Sequence, residues 1–196
     1  MDLNDPFGGV IPGARGAVLA ALLRTGQELT GRQVHGVVGT YSLGSVQDAL
    51  KAWERLGILE SRTVGRAYVY RVEESHVAVE PLRALLDPIA ALTGIVSRVI
   101  GNSVESVIVF GSVARGEANA DSDIDLAVIA SEPWDGRADL REAIRVGTGN
   151  ECDILVFTSA SFSEALDRGE PVVLDVVKDG VALIGHKPRH RRKKPS

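Results

Sequence analysis

The chain has 196 residues, 44% of them hydrophobic and 24% charged, which suits one large globular domain or two small ones with enough apolar side chains for a core. It has no apolar run long enough to cross a bilayer and no basic-then-apolar leader in "MDLNDPFGGVIPG", and its one cysteine, Cys152, excludes an intramolecular disulfide and any multi-cysteine metal site, so a cytoplasmic protein without a membrane partner is expected. Residues 1–80 carry 8 Lys and Arg against 9 Asp and Glu, residues 81–186 carry 8 against 17, and the tail "KPRHRRKKPS" adds six positive charges, a distribution that excludes a general polyanion binder and suits either a divalent-cation site or a solvated acidic surface.

In chain order, "RGAVLAALLR" places apolar residues at helical spacing. Thr30 is an N-cap candidate for a second short helix, "GRQVHGVV". Ser45 can cap a third, in which Val46, Ala49, Leu50, Trp53 and Leu56 form one stripe that Gly57 ends. The strands "ILESR" and "AYVYRV" follow, turning at Gly65. Three helices and a β-hairpin in about sixty residues resemble a winged helix-turn-helix domain, expected over residues 1–76. Residues 77–102 read as a connecting helix that Pro88 kinks or splits. Beyond it, "VESVIVF", "DIDLAVIA", "CDILVF" and "VALIG" read as strands, and "ADLREAIRVG", the stretch from Ser161 to Arg168 and "PVVLDVVKDG" as helices, the last despite its valines because Pro171 opens it and Gly180 closes it. Alternation of this kind makes a small sheet domain over residues 103–186. The basic residues 187–196 read as a disordered tail.

The stretch "FGSVARGEANADSDIDLAV" carries the chemistry. Side chains at i and i+2 of a strand point the same way, about 7 Å apart. Asp123 and Asp125 therefore share one face, while Ile124, Leu126 and Val128 share the other. Two unpaired carboxylates on a buried strand would be costly, and a divalent cation removes that cost. A solvated strand end would carry the same Asp-x-Asp. Upstream, Gly111-Ser112 ends a strand and opens a helical turn, which places backbone N–H groups and a hydroxyl where a triphosphate could sit. A third acid, Asp153, interrupts the apolar strand "CDILVF".

Gly-Ser, ten residues, then Asp-x-Asp, together with "ARG" and "SDIDL", resembles the signature of the DNA polymerase beta-like nucleotidyltransferase superfamily, particularly its small "minimal" members, over about residues 103–185. The resemblance implies an α+β protein, a winged helix-turn-helix followed by a mixed sheet flanked by helices. It also implies that Gly111, Ser112 and Arg115 serve the nucleotide phosphates, with Arg115 bracing the loop, and that Asp123, Asp125 and Asp153 hold two Mg²⁺ ions, Asp153 also helping to deprotonate the acceptor. The implied reaction moves a nucleoside monophosphate from an NTP, ATP first, to a hydroxyl of a protein or nucleic acid, in a setting that resembles toxin–antitoxin systems. A different reading is a DNA-binding regulator whose second domain senses nucleotide without turnover.

For the winged helix, Gln47, Lys51, Arg62 and Arg66 are the candidate nucleic-acid contacts, a thin set for neutralising phosphates. Such domains also dock proteins or a second copy of themselves, and the residues leave DNA, protein and homodimer open. Trp134 is expected to lie against the domain, and Cys152 to be a buried structural thiol. The four histidines have no spacing that suggests a ligand set.

Overall fold

The computed structural model describes residues 1–101 and 103–188, so most of the expected basic tail lies outside the described residues. The chain divides into two compact units, Asp5–Asp87 on the one hand and Met1–Asn4 with Pro88–Ser196 on the other.

The first unit runs α1 (Gly13–Thr25), β1 (Leu29–Thr30), α2 (Gly31–Val38), α3 (Leu43–Arg55), β2 (Leu59–Val64), β3 (Ala67–Val72) and a short α4 (Val79–Ala84). Thr30 caps α2 through a reciprocal box: its hydroxyl accepts from the Gln33 N–H at 3.3 Å, and Gln33 Oε1 accepts from the Thr30 N–H at 2.8 Å. Helix α3 starts earlier than expected. Its cap is Ser42, not Ser45: the Ser42 hydroxyl accepts from the Ser45 N–H at 3.1 Å, and the Ser42 carbonyl already takes the Val46 N–H at 3.0 Å. Val46, Ala49, Leu50 and Trp53 are buried as the stripe requires, but Leu56 is 60% exposed because it lies past the last helical turn, and Ile58 and Leu59 fill the core instead. The hairpin turns through Gly65 and Arg66, with Gly65 at φ +62°.

Strand β1 is too short to read from sequence. It pairs antiparallel with β3, Leu29 opposite Tyr70, giving a three-stranded sheet in the order β1-β3-β2. This is the element order of a winged helix-turn-helix. Its core holds Leu19, Leu22, Val34, Leu50 and Leu59, and also Phe7, which a short 3-10 turn at Pro6–Gly9 inserts with its backbone at φ +58°.

The second unit runs α5 (Pro88–Val99), β4 (Val104–Phe110), α6 (Gly111–Arg115), β5 (Ile124–Ala130), α7 (Arg137–Thr148), β6 (Cys152–Thr158), α8 (Ser159–Asp167), α9 (Pro171–Asp179) and β7 (Val181–Ile184). The sheet order is β6-β5-β4-β7, with β5 parallel to β6 and β4 antiparallel to both β5 and β7. On one face Ile124, Leu126 and Val128 pack with Leu92 and Val96 of α5 and Leu140 and Ile144 of α7. On the other, Ala127 and Ile129 pack with Phe162 of α8 and Val173 and Val176 of α9. Cover on both faces explains why β5 is apolar at every position after Asp125.

Pro88 splits the expected connecting helix completely, so α4 belongs to the first unit and α5 to the second. The first four residues return to the second unit: Leu3 packs against its core, and the Met1 ammonium donates to the Thr148 carbonyl at 3.0 Å and to Asn150 Oδ1 at 2.9 Å. Among the described residues no helix is long and apolar enough to cross a membrane.

Candidate active site

Strand β4 is buried to its last residue, Phe110, which lies opposite Asp125 on β5. The next residue, Gly111, has φ +68°, and a Cβ there would overlap the Asp125 carboxylate, coming within 3.1 Å of its Cγ. Both the left-handed backbone and the close approach demand glycine. On the other side of β5 the register sets Asp125 directly beside Asp153 of β6, and Ile124 beside Cys152. One sheet row thus brings together the turn after β4 and the carboxylates of two neighbouring strands.

The acids do not sit inside a buried strand, as the hydrophobic pattern suggests. Asp123 precedes β5 and is exposed, Asp125 is half-buried, and Asp153 is exposed. They mark the end of the sheet where its two apolar faces give way to solvent, so the cost of burying charge falls mainly on Asp125. Its carboxyl is pushed above the ordinary range by burial, then by repulsion from Asp153 and Asp123, with Arg115 opposing. None of the three carboxylates has a hydrogen-bond or ion-pair partner among the described residues, and neither has the Ser112 hydroxyl.

Arg115 closes α6 and is held by Glu117, Nε to Oε2 at 2.7 Å. Asp179 and Asp175 of α9 add to the negative field around it. Among the described residues no three His, Cys, Asp or Glu side chains converge tightly enough to make a ready metal cage. Mg²⁺ takes one or two carboxylates and fills its octahedral shell with water and substrate phosphate oxygens. The chemistry of the all-oxygen carboxylate set of Asp123, Asp125 and Asp153 is of the kind that ion takes.

The loop that delivers Asp123 is built locally. Asn119 N–H donates to the Ser122 hydroxyl at 2.9 Å and Asp121 N–H to Asn119 Oδ1 at 2.9 Å, which leaves the Asp121 side chain as an exposed loop acid. Asn150, only 4% exposed, fixes this loop from below: its Nδ2 donates to the carbonyls of Ala120 at 3.2 Å and Ser122 at 3.0 Å. The Ile124 N–H donates to the Glu151 carbonyl at 2.9 Å. Asn150 was not readable as a site residue, because an asparagine after a helix-ending glycine looks like ordinary loop.

Residues 95–174 match the family model described as polymerase beta, nucleotidyltransferase. The second unit carries a nucleotidyltransferase domain of the polymerase beta family. Among solved structures, a toxin–antitoxin with AMP-PNP is similar at 23% identity over 50% of this chain and 74% of that one, with a TM-score of 0.38. A tri-AMPylated HEPN toxin in complex with MNT antitoxin from Shewanella oneidensis is similar at 20% identity, over 50% and 73%, with a TM-score of 0.34. TrmBL2, an archaeal chromatin protein with a novel mode of DNA binding, is similar at 17% identity over 87% of this chain and 73% of its own, with a TM-score of 0.31. No curated protein matches the sequence.

In the nucleotidyltransferase domain, Gly111, Asp125 and Asp153 adjoin, Asp123 enters from the loop and Arg115 stands at the rim. Cys152 points away into the core, where burial pushes its thiol up to about 12. Trp134 packs against the same core. In the winged-helix unit, Gln47, Lys51 and Arg66 line one groove, whereas Arg62 is outside that lining and paired with Glu28, Nε to Oε2 at 3.1 Å.

Proposed function

We propose that the nucleotidyltransferase domain moves a nucleoside monophosphate from an NTP, ATP first, to a hydroxyl of a protein or nucleic-acid acceptor. In this reaction the acceptor oxygen bonds to the α-phosphorus, the bond from that phosphorus to the bridging oxygen breaks, and pyrophosphate leaves. Asp153, at the open end of β6, takes the hydroxyl proton. Gly111 gives the triphosphate room to approach the chain, and the unpartnered Ser112 hydroxyl donates to it. Arg115, kept in place by Glu117, offsets charge at the rim. Asp123, Asp125 and Asp153 would hold two Mg²⁺ ions, which when bound supply charge neutralisation at the attacking and leaving oxygens.

The observation that carries this reading is the row Phe110–Asp125–Asp153. It sets two carboxylates without protein partners next to a glycine that admits no side chain. The test is incubation of the protein with each α-labelled NTP and Mg²⁺ in cell lysate. Label should appear on one macromolecule, be lost with EDTA, and be lost in Asp125→Asn. Label that persists in that variant would overturn the site. Tight nucleotide binding without transfer would instead favour a nucleotide-sensing regulator. Protease or nuclease treatment of the labelled product then separates a protein acceptor, such as a toxin-like partner, from a nucleic-acid one.

A further inference from the structure

The winged-helix unit holds a groove of about 590 Å³ between α3, the start of α2 and β3. Gln47 and Lys51, one turn apart on α3, face Arg66, Tyr68 and Tyr70 of the hairpin, with Arg32 of α2 completing the rim. Three cations line it and no carboxylate does. Outside the groove Arg62 is paired with Glu28, Arg71 with Glu60, and Arg83 with Glu74 and Glu80, while Arg15, Arg24 and Arg55 are cations unpaired among the described residues that do not line it. Arg32, Lys51 and Arg66 have no ion-pair partner among the described residues. Glu54, whose charge acts on Tyr70, is outside the lining and accepts a hydrogen bond from Ser61.

The tyrosines decide what kind of polyanion fits. Tyr68 and Tyr70 lie at i and i+2 of β3, on one face and about 7 Å apart. Tyr68 is 62% exposed, a large aromatic surface left to solvent beside free cations. Bases stacked in a duplex are about 3.4 Å apart and present only their edges. Tyr70 is half-buried against the core of its unit and offers the groove only part of its ring, and at this spacing it and Tyr68 can both meet bases only when neighbouring bases are unpaired and spread apart.

We propose that this groove binds a single-stranded nucleic-acid segment, with bases stacked on Tyr68 and Tyr70 and phosphates met by Arg32, Lys51 and Arg66. The two rings sit on a rigid paired strand, so little order has to be created on binding. Arg62, already held by Glu28, takes no part. The inference stands apart from the transfer reaction, because it needs neither nucleotide triphosphate nor metal.

Fluorescence anisotropy of the full chain, without NTP and in EDTA, tests it with labelled 12-mers of U, of dT, and the dA·dT duplex. The single strands should bind more tightly than the duplex; tighter U binding would identify RNA and tighter dT binding DNA as the preferred source. Tyr68→Ala should weaken single-strand binding about tenfold, and Tyr68→Trp should restore it. Lys51→Gln should lower the slope of log affinity against log salt by about 0.7. Arg62→Gln should change neither reading. Duplex binding at least as tight as single-strand binding, or single-strand binding indifferent to Tyr68→Ala, overturns the proposal. Because Tyr68 is exposed, these variants should keep the circular dichroism of the parent, which separates a lost contact from a lost fold.

Discussion

Asp125 is the residue on which the site turns, since it alone of the three acids is half-buried and touches both neighbouring strands. Its carboxyl, raised by burial and by Asp153 and Asp123, holds its proton more tightly in the folded than in the unfolded chain. Asp125 therefore contributes stability that is fully present at low pH and is lost as pH rises through the raised folded value. Without metal the parent carries this penalty once its carboxyl ionises above the raised value, and Asp125→Asn escapes it. The variant should melt above the parent in EDTA at pH 7, and the gap should close as pH falls toward the ordinary aspartate value of 3.8. Mg²⁺ with a non-hydrolysable ATP analogue should raise the melting temperature of the parent and leave that of the variant unmoved. A parent that melts higher in EDTA at neutral pH would contradict the electrostatic account.

At the scale of elements, the helix starts separate what local chemistry reveals from what it hides. Thr30 caps α2 as its sequence implies, because Thr-Gly-Arg-Gln is a complete capping box. In "SLGS" two serines compete, and the sequence favours the one nearer the apolar stripe; the fold uses Ser42 because its carbonyl already accepts the first helical bond. Ser42→Ala should cost about 1 kcal/mol in urea unfolding, and Ser45→Ala clearly less. Most strands and helices were legible from their spacing, including α9, where Pro171 and Gly180 outweigh four valines. Strand β1 was not, since two residues carry no periodicity and it exists only by pairing with β3. The candidate site was legible through Gly111, Ser112, Asp123, Asp125 and Asp153, whose types and spacing stand out. Its supports were not: Asn150 and Glu117 act through contacts made across the fold or around a turn, and their identities alone announce nothing.

For the whole molecule, the apolar clusters respect the division of the chain: one lies within the winged-helix unit and two flank the sheet of the transferase unit. The transferase unit is nevertheless discontinuous in sequence, because Leu3 joins its core and Met1 its hydrogen bonds. Leu3→Ala should therefore speed amide hydrogen exchange in β5 and β6 while α1, α2 and α3 keep the protection of the parent. The same feature bears on dissection. A fragment cut to begin at Pro88 discards the ammonium that meets Asn150 Oδ1 and leaves a notch where Leu3 packed. Asn150 also holds the loop that carries Asp123, so the truncation reaches the acids from the far end of the chain. To isolate this unit intact, the winged helix has to be excised as an insert, with residue 4 spliced to residue 88 through a flexible linker.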